Sequence, residues 1–146
     1  MKFYLDTSVF SAYYDDRKPE RMELTQEFWK NLSRHERLCS ELTIEELSRA
    51  SPELKQKLLA LTQEFKILKI TEEVLNLARR YVKEGVVPPR YFADAIHIAA
   101  AVKGDADILV SWNYRHLVKR STRLLVNYIN SKLGLRSIEI LAPPEV

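Results

Sequence analysis

The chain is poor in cysteine and glycine, with one Cys, Cys39, and three Gly in 146 residues. A lone thiol excludes an internal disulfide and any zinc site built from cysteines, and a reducing interior is its natural setting. The sparse glycines form neither a G-x-G-x-x-G nor a G-x-x-x-x-G-K-[ST] loop, which argues against a doubly wound nucleotide-binding domain. Long apolar runs are missing as well. The most apolar stretch, residues 95–102, is too short to span a bilayer and contains His97. Near the N-terminus, Asp6 interrupts the apolar residues before a secretory core forms. A cytoplasmic protein without membrane contact is expected.

What is present describes an ordinary folded domain. Hydrophobic residues make up 46% and charged residues 29%, a balance that excludes disorder, and the length suits one domain over residues 1–146. Lys and Arg number 23 against 20 Asp and Glu, for a net charge of +3. That excess suits a phosphate polymer without singling one out.

Five segments read as strands: residues 2–5, 37–40, 65–70, 108–111 and 137–141. Helical periodicity fills the intervals. Residues 20–32 place Leu24, Phe28, Trp29 and Leu32 on one face, and residues 71–82 do the same with Val74, Leu75, Ala78, Tyr81 and Val82. Thr71 is the expected N-cap of that second helix and Gly85 its terminator. Residues 44–61 read as helix broken near Pro52; another helix begins around residues 90–94, and a last one covers residues 121–133 and ends at Gly134. The tail, residues 142–146, is expected to fray. Strands alternating with helices predict an α/β fold, a parallel sheet covered on both faces.

Four apolar runs end on polar residues: Asp6 in FYLDTSVF, Glu46 in LTIEEL, Asp94 in YFADAIHIAAA and Asn113 in ILVSWNYRHL. In an open parallel sheet, ligands bind beyond the carboxyl ends of the strands, and acids gathered there suit a divalent cation. Each acid also has a purely structural reading. Asp6 can cap a helix starting at Thr7 while keeping one oxygen for a metal. Thr43 and Glu46 fit a capping box. Asp94, ahead of an apolar segment, needs a compensating partner, which is a metal or, alternatively, a helix end or Arg90 one turn earlier. His97 reads as a satisfied core residue, and Asp107 belongs near the opposite end of its strand.

Taken in order, these motifs resemble the PIN-domain family of metal-dependent ribonucleases, and within it the VapC-like toxins of toxin–antitoxin pairs. The resemblance implies a three-layer α/β/α fold with strand order 3-2-1-4-5. It also implies an endoribonuclease using Mg²⁺ or Mn²⁺, with Asp6, Glu46 and Asp94 holding the cation and Asn113 completing the shell. Many relatives carry an acid where Ser111-Trp112-Asn113 supplies a neutral amide, so the expectation is one firm metal rather than two, or a second taken only with substrate bound. Ser8, Ser111, Arg115 and His116 are expected around the metal or substrate, and Lys119, Arg120 and Arg123 are candidates for phosphate contacts or else plain solvated surface. The implied partners are a structured RNA such as tRNA or rRNA, a small antitoxin, and a second copy meeting near Tyr14, Phe28 and Trp29. An RNA-binding or scaffolding module without catalysis remains the alternative.

Overall fold

Five short strands pair entirely in parallel in a computed structural model that describes residues 1–146. They are β1 (Lys2–Leu5), β2 (Glu36–Ser40), β3 (Lys66–Leu68), β4 (Ile108–Val110) and β5 (Glu139–Leu141), in the order β3-β2-β1-β4-β5. The expected topology is therefore present. Helices α1 (Thr7–Tyr13), α2 (Pro19–Trp29), α3 (Glu41–Leu47) and α4 (Pro52–Leu61) connect β1 through β3, while α5 (Glu72–Lys83), α6 (Phe92–Lys103) and α7 (Arg120–Lys132) belong to the later crossovers. Strand order runs one way from β1 to β3 and the other way from β1 to β5, so right-handed crossovers place the two helix sets on opposite faces. No helix is long and apolar enough to cross a membrane.

Both faces of the sheet are covered, which explains why its central strands are apolar without alternation. Phe3, Tyr4 and Leu5 of β1 and all three residues of β4 are buried. Register matters most between these two strands: Tyr4 faces Leu109, Leu5 faces Val110, and the Asp6 amide donates to the Val110 carbonyl at 3.2 Å. Asp6 and Ser111 therefore leave the sheet side by side, where strand order reverses.

The structure corrects the expected start of α3. That helix begins directly after β2, with Ser40 as N-cap and the Ser40 amide donating to Thr43 Oγ1 at 3.2 Å. Thr43 is thus inside the helix, and Glu46 lies beyond the first turn, freed from the capping box foreseen with Thr43. The break before Pro52 and the Thr71 cap, which accepts from the Val74 amide at 3.3 Å, appear where expected. Gly85 and Gly134 follow α5 and α7 with φ of +90° and +71°, values that exclude most side chains.

The tail is a second correction. Pro143–Glu145 form a 3₁₀ turn, Ala142 and Pro143 are buried, and the Ala142 amide donates to Glu145 Oε1 at 2.8 Å. Burial of that apolar surface beside Phe3 and Phe28 outweighs the fraying expected of a terminus. The aromatic residues considered for a dimer interface divide. Phe28 is buried near Phe3, and Trp29 is half-buried against Phe10, Tyr13 and Phe65, with ring centroids 5.1–5.8 Å apart. Only Tyr14 is left exposed.

Candidate active site

Asp6 anchors the site. The first turn of α1 needs its amide groups satisfied, and Asp6 Oδ1 accepts from the Ser8 amide at 3.0 Å and from Ser8 Oγ at 2.5 Å. Its other oxygen, Oδ2, accepts from Ser111 Oγ at 2.6 Å, one residue past β4. The two serines are fixed in turn, since Ser8 Oγ accepts from the Trp112 amide and Ser111 Oγ from the Asn113 amide, both at 2.9 Å. Asp6 is only 4% exposed and no cation of the protein pairs with it. Burial pushes its carboxyl above the usual range, and the nearby charge of Asp94 pushes the same way, against the opposing effects of His97 and the two serines.

Glu46 approaches from the α3 side. Its Oε1 accepts from Thr7 Oγ1 at 2.5 Å and lies 2.7 Å from His97 Nε2. Burial acts to raise the Glu46 carboxyl, but the bonds from His97 and Thr7 outweigh it and hold the group below its ordinary value. An ionised carboxylate only accepts, so His97 Nε2 carries the proton between them. The other ring nitrogen, Nδ1, lies 2.8 Å from the Tyr4 hydroxyl, which in turn donates to Ser40 Oγ at 2.9 Å. A buried chain thus runs from the middle of the sheet to Glu46. The sequence reading of His97 as satisfied and buried agrees with its 3% exposure, but that reading missed what satisfies it.

Asp94 stands in the first turn of α6, one turn before His97. Neither structural partner foreseen for it is used. Tyr91 occupies the N-cap position, and the hydrogen-bonding partner of Asp94 is His116, whose Nδ1 lies 2.9 Å from Oδ2. Asn113 arranges that contact: its Oδ1 accepts the His116 amide at 2.9 Å, which closes the turn after β4 and aims the imidazole at Asp94. The amide oxygen is thereby engaged with the backbone.

The remaining expected residues lie around this centre. Arg115 is exposed beside Tyr91, and Lys119 and Arg120 are exposed at the start of α7. Arg123 is half-buried, with a guanidinium nitrogen 3.7 Å from Glu145. Asp107 lies at the opposite end of β4, as its spacing predicts, accepting from the Lys2 amide and from Arg136, both at 2.8 Å.

The donor chemistry fits a hard divalent cation. Asp6 is a buried carboxylate without a positive partner, and it is repelled by Asp94. Glu46 Oε2 and Asp94 Oδ1 accept no hydrogen bond from the protein, because the histidines engage only the other oxygen of each acid. Oxygen donors of this kind are those Mg²⁺ and Mn²⁺ prefer. The side chains are not closed on one point, since no three acidic, histidine or cysteine groups come together as a formed metal centre. Thr7, Tyr4 and Tyr91 were not foreseen as parts of this region. For Thr7 the available signal was its place directly after Asp6, and for Tyr91 its place one turn before Asp94.

A family model for the PIN domain matches residues 3–119. The chain belongs to the PIN-domain family. The fold of this PIN domain is similar to that of VapC20 from Mycobacterium tuberculosis, a Sarcin-Ricin loop cleaving toxin. The TM-score is 0.64 at 14% identity, covering 94% of this chain and 98% of that one. VapBC-1 from nontypeable Haemophilus influenzae gives 0.63 at 14% identity and covers 99% of each chain. A toxin–antitoxin complex from Klebsiella pneumoniae gives 0.59 at 17% identity, with 77% of this PIN domain and 88% of that chain covered. No curated protein matches the sequence.

The elevated Asp6 carboxyl has a consequence for stability. Below the ordinary carboxylate range, folded and unfolded chains are both protonated and the group contributes nothing. As pH rises from the ordinary value through the raised one, the unfolded chain ionises first and the folded state loses stability, a cost that grows until pH passes the raised value. In chelator, Asp6→Asn should therefore gain in melting temperature relative to the unaltered chain as pH rises through the carboxylate range. Manganese at a hundredfold excess over its Kd should stabilise the unaltered chain by about 2.7 kcal/mol and leave Asp6→Asn unmoved. Thermal melts check both statements, and a variant that Mn²⁺ stabilises equally contradicts them.

Proposed function

We propose that this PIN domain is a metal-dependent endoribonuclease and the toxin of a toxin–antitoxin pair. The observation that carries the reading is a buried Asp6 carboxyl with no positive partner, raised further by the charge of Asp94, beyond the carboxyl end of β1, where an open parallel sheet binds its ligands, with Glu46 tied to the adjacent Thr7. The toxin part draws support from the solved relatives, one a Sarcin-Ricin loop cleaving toxin and others toxin–antitoxin assemblies.

In this reading Asp6, Glu46 and Asp94 hold Mg²⁺ or Mn²⁺. When bound, the cation supplies an acidified water and neutralises charge on the scissile phosphate. Ser8 and Ser111 hold Asp6 in one orientation, and Thr7 with His97 does the same for Glu46. His116 holds Asp94, and Asn113 holds His116. Both histidines are engaged with carboxylates, so neither is free to serve as nucleophile or base. Direct attack of water leaves a 5′-phosphate and a 3′-hydroxyl. The substrate is a structured RNA such as tRNA or rRNA, and the restraining partner is a small antitoxin.

One observation favours a second reading, an RNA-binding module without catalysis: Asn113 is neutral and its oxygen already accepts a backbone amide. Hydrolysis of a generic RNA separates the two. The enzyme reading expects cleavage with Mn²⁺, none with chelator, and a loss of at least about a hundredfold in Asp94→Asn. Equal rates under all three conditions reject it. Toxicity has its own check, since expression of the chain alone should arrest growth and Asp6→Asn should relieve the arrest. Unimpaired growth with the intact chain contradicts the toxin assignment.

A further inference from the structure

Two arginines beside the acidic region have no carboxylate partner. Arg90 lies in the 3₁₀ turn Pro89–Tyr91 that leads into α6, and Arg115 lies in the turn after β4. Their guanidinium carbons lie 5.0 and 5.6 Å from the centroid of the Tyr91 ring. That ring packs on His116, at 4.1 Å between centroids, and His116 Nδ1 is 2.9 Å from Asp94. Two cations are therefore gathered on one ring, with Tyr91 and His116 between them and an acid of the site.

The exposed Arg17, Arg49, Arg79 and Arg136 all hold a carboxylate and Arg123 lies beside Glu145; Arg21, Arg34 and Arg120 hold none either, but only Arg90 and Arg115 share one ring. Arg90 and Arg115 have only the ring. Its π face attracts each guanidinium, and an anion that reaches them supplies the charge partner both lack. A planar guanidinium presents a fork of donors that fits phosphate oxygens. With His116 and both arginines around it, Tyr91 serves as a ledge for the cations rather than as an open platform for a base.

We propose that Arg90 and Arg115, seated on Tyr91, form a phosphate subsite that grips the RNA backbone next to the acidic crevice. This rests on the ribonuclease reading and places the backbone over the His116 side of the site. It also ranks this pair ahead of Lys119, Arg120 and Arg123 as phosphate contacts.

The test is fluorescence anisotropy of a labelled single-stranded RNA oligonucleotide with the full chain in chelator, across a salt series, so that binding is read without cleavage. Arg90→Gln and Arg115→Gln should each weaken binding roughly tenfold. Each should also flatten the slope of log K against log salt by about 0.7, and the double variant by about 1.4. Lys132→Gln is the control, because Lys132 also sits over a ring, 5.2 Å from Tyr128, but at the far end of α7. It should leave affinity and slope unchanged. Arginine variants that bind with the original affinity, or weaken it with the original slope, overturn the subsite and leave the ribonuclease reading standing. Failure of the unaltered chain to bind RNA at all overturns that reading and the subsite together.

Discussion

A carboxylate taken out of water at the point where strand order reverses is the constraint on which the rest depends. Asp6 sits there because β1 ends there, and β4 is its neighbour because the first and later crossovers run in opposite directions from β1. Three bonds from two serines stabilise the buried charge without neutralising it. Asp94, brought in by α6, adds repulsion rather than relief. Burying a charge in this way is costly unless something positive arrives. A stability-driven design would place an apolar residue here, and this cost is the support for the proposed cation site.

The histidines give the site its second character. His97 engages one oxygen of Glu46 and His116 one oxygen of Asp94, and each leaves the other oxygen without a protein partner. Each imidazole is itself held from behind, His97 by Tyr4 and His116 by the turn that Asn113 closes. Hydrogen-bonded support of this kind orients ligating groups and tunes their affinity. It also gives Asn113 a part in the site: its oxygen organises the turn that carries His116. The same turn carries Arg115, so the group that positions Asp94 and one arm of the proposed phosphate subsite share one short segment.

The fold was largely legible because apolar strands alternating with amphipathic helices admit few topologies once crossovers are right-handed. The boundary of α3 was harder to read. Ser40 and Thr43 are both good caps, and the choice between them depended on β2 running straight into the helix, a tertiary fact that local pattern does not contain. The tail was misread because its docking depends on α2 packing against it, a helix far away in sequence. At the site, apolar runs ending on acids drew attention to Asp6, Glu46 and Asp94, each with a structural alternative, and the family resemblance was what assigned them to a cation. Their histidine partners did not follow from spacing alone, since Glu46 meets His97 across 51 residues and Asp94 meets His116 across 22. Pairing at such separations is decided by which helices share an end of the sheet.

The central claim is that Asp6, Glu46 and Asp94 together form a cation site, and a crystal of the chain soaked in manganese tests it most directly through anomalous scattering. The account predicts one strong peak within coordination distance of Asp6, with Glu46 and Asp94 bound to it directly or through water. It also predicts that the peak vanishes in Asp6→Asn. A crystal that takes up manganese elsewhere and leaves these three carboxylates bare contradicts the account.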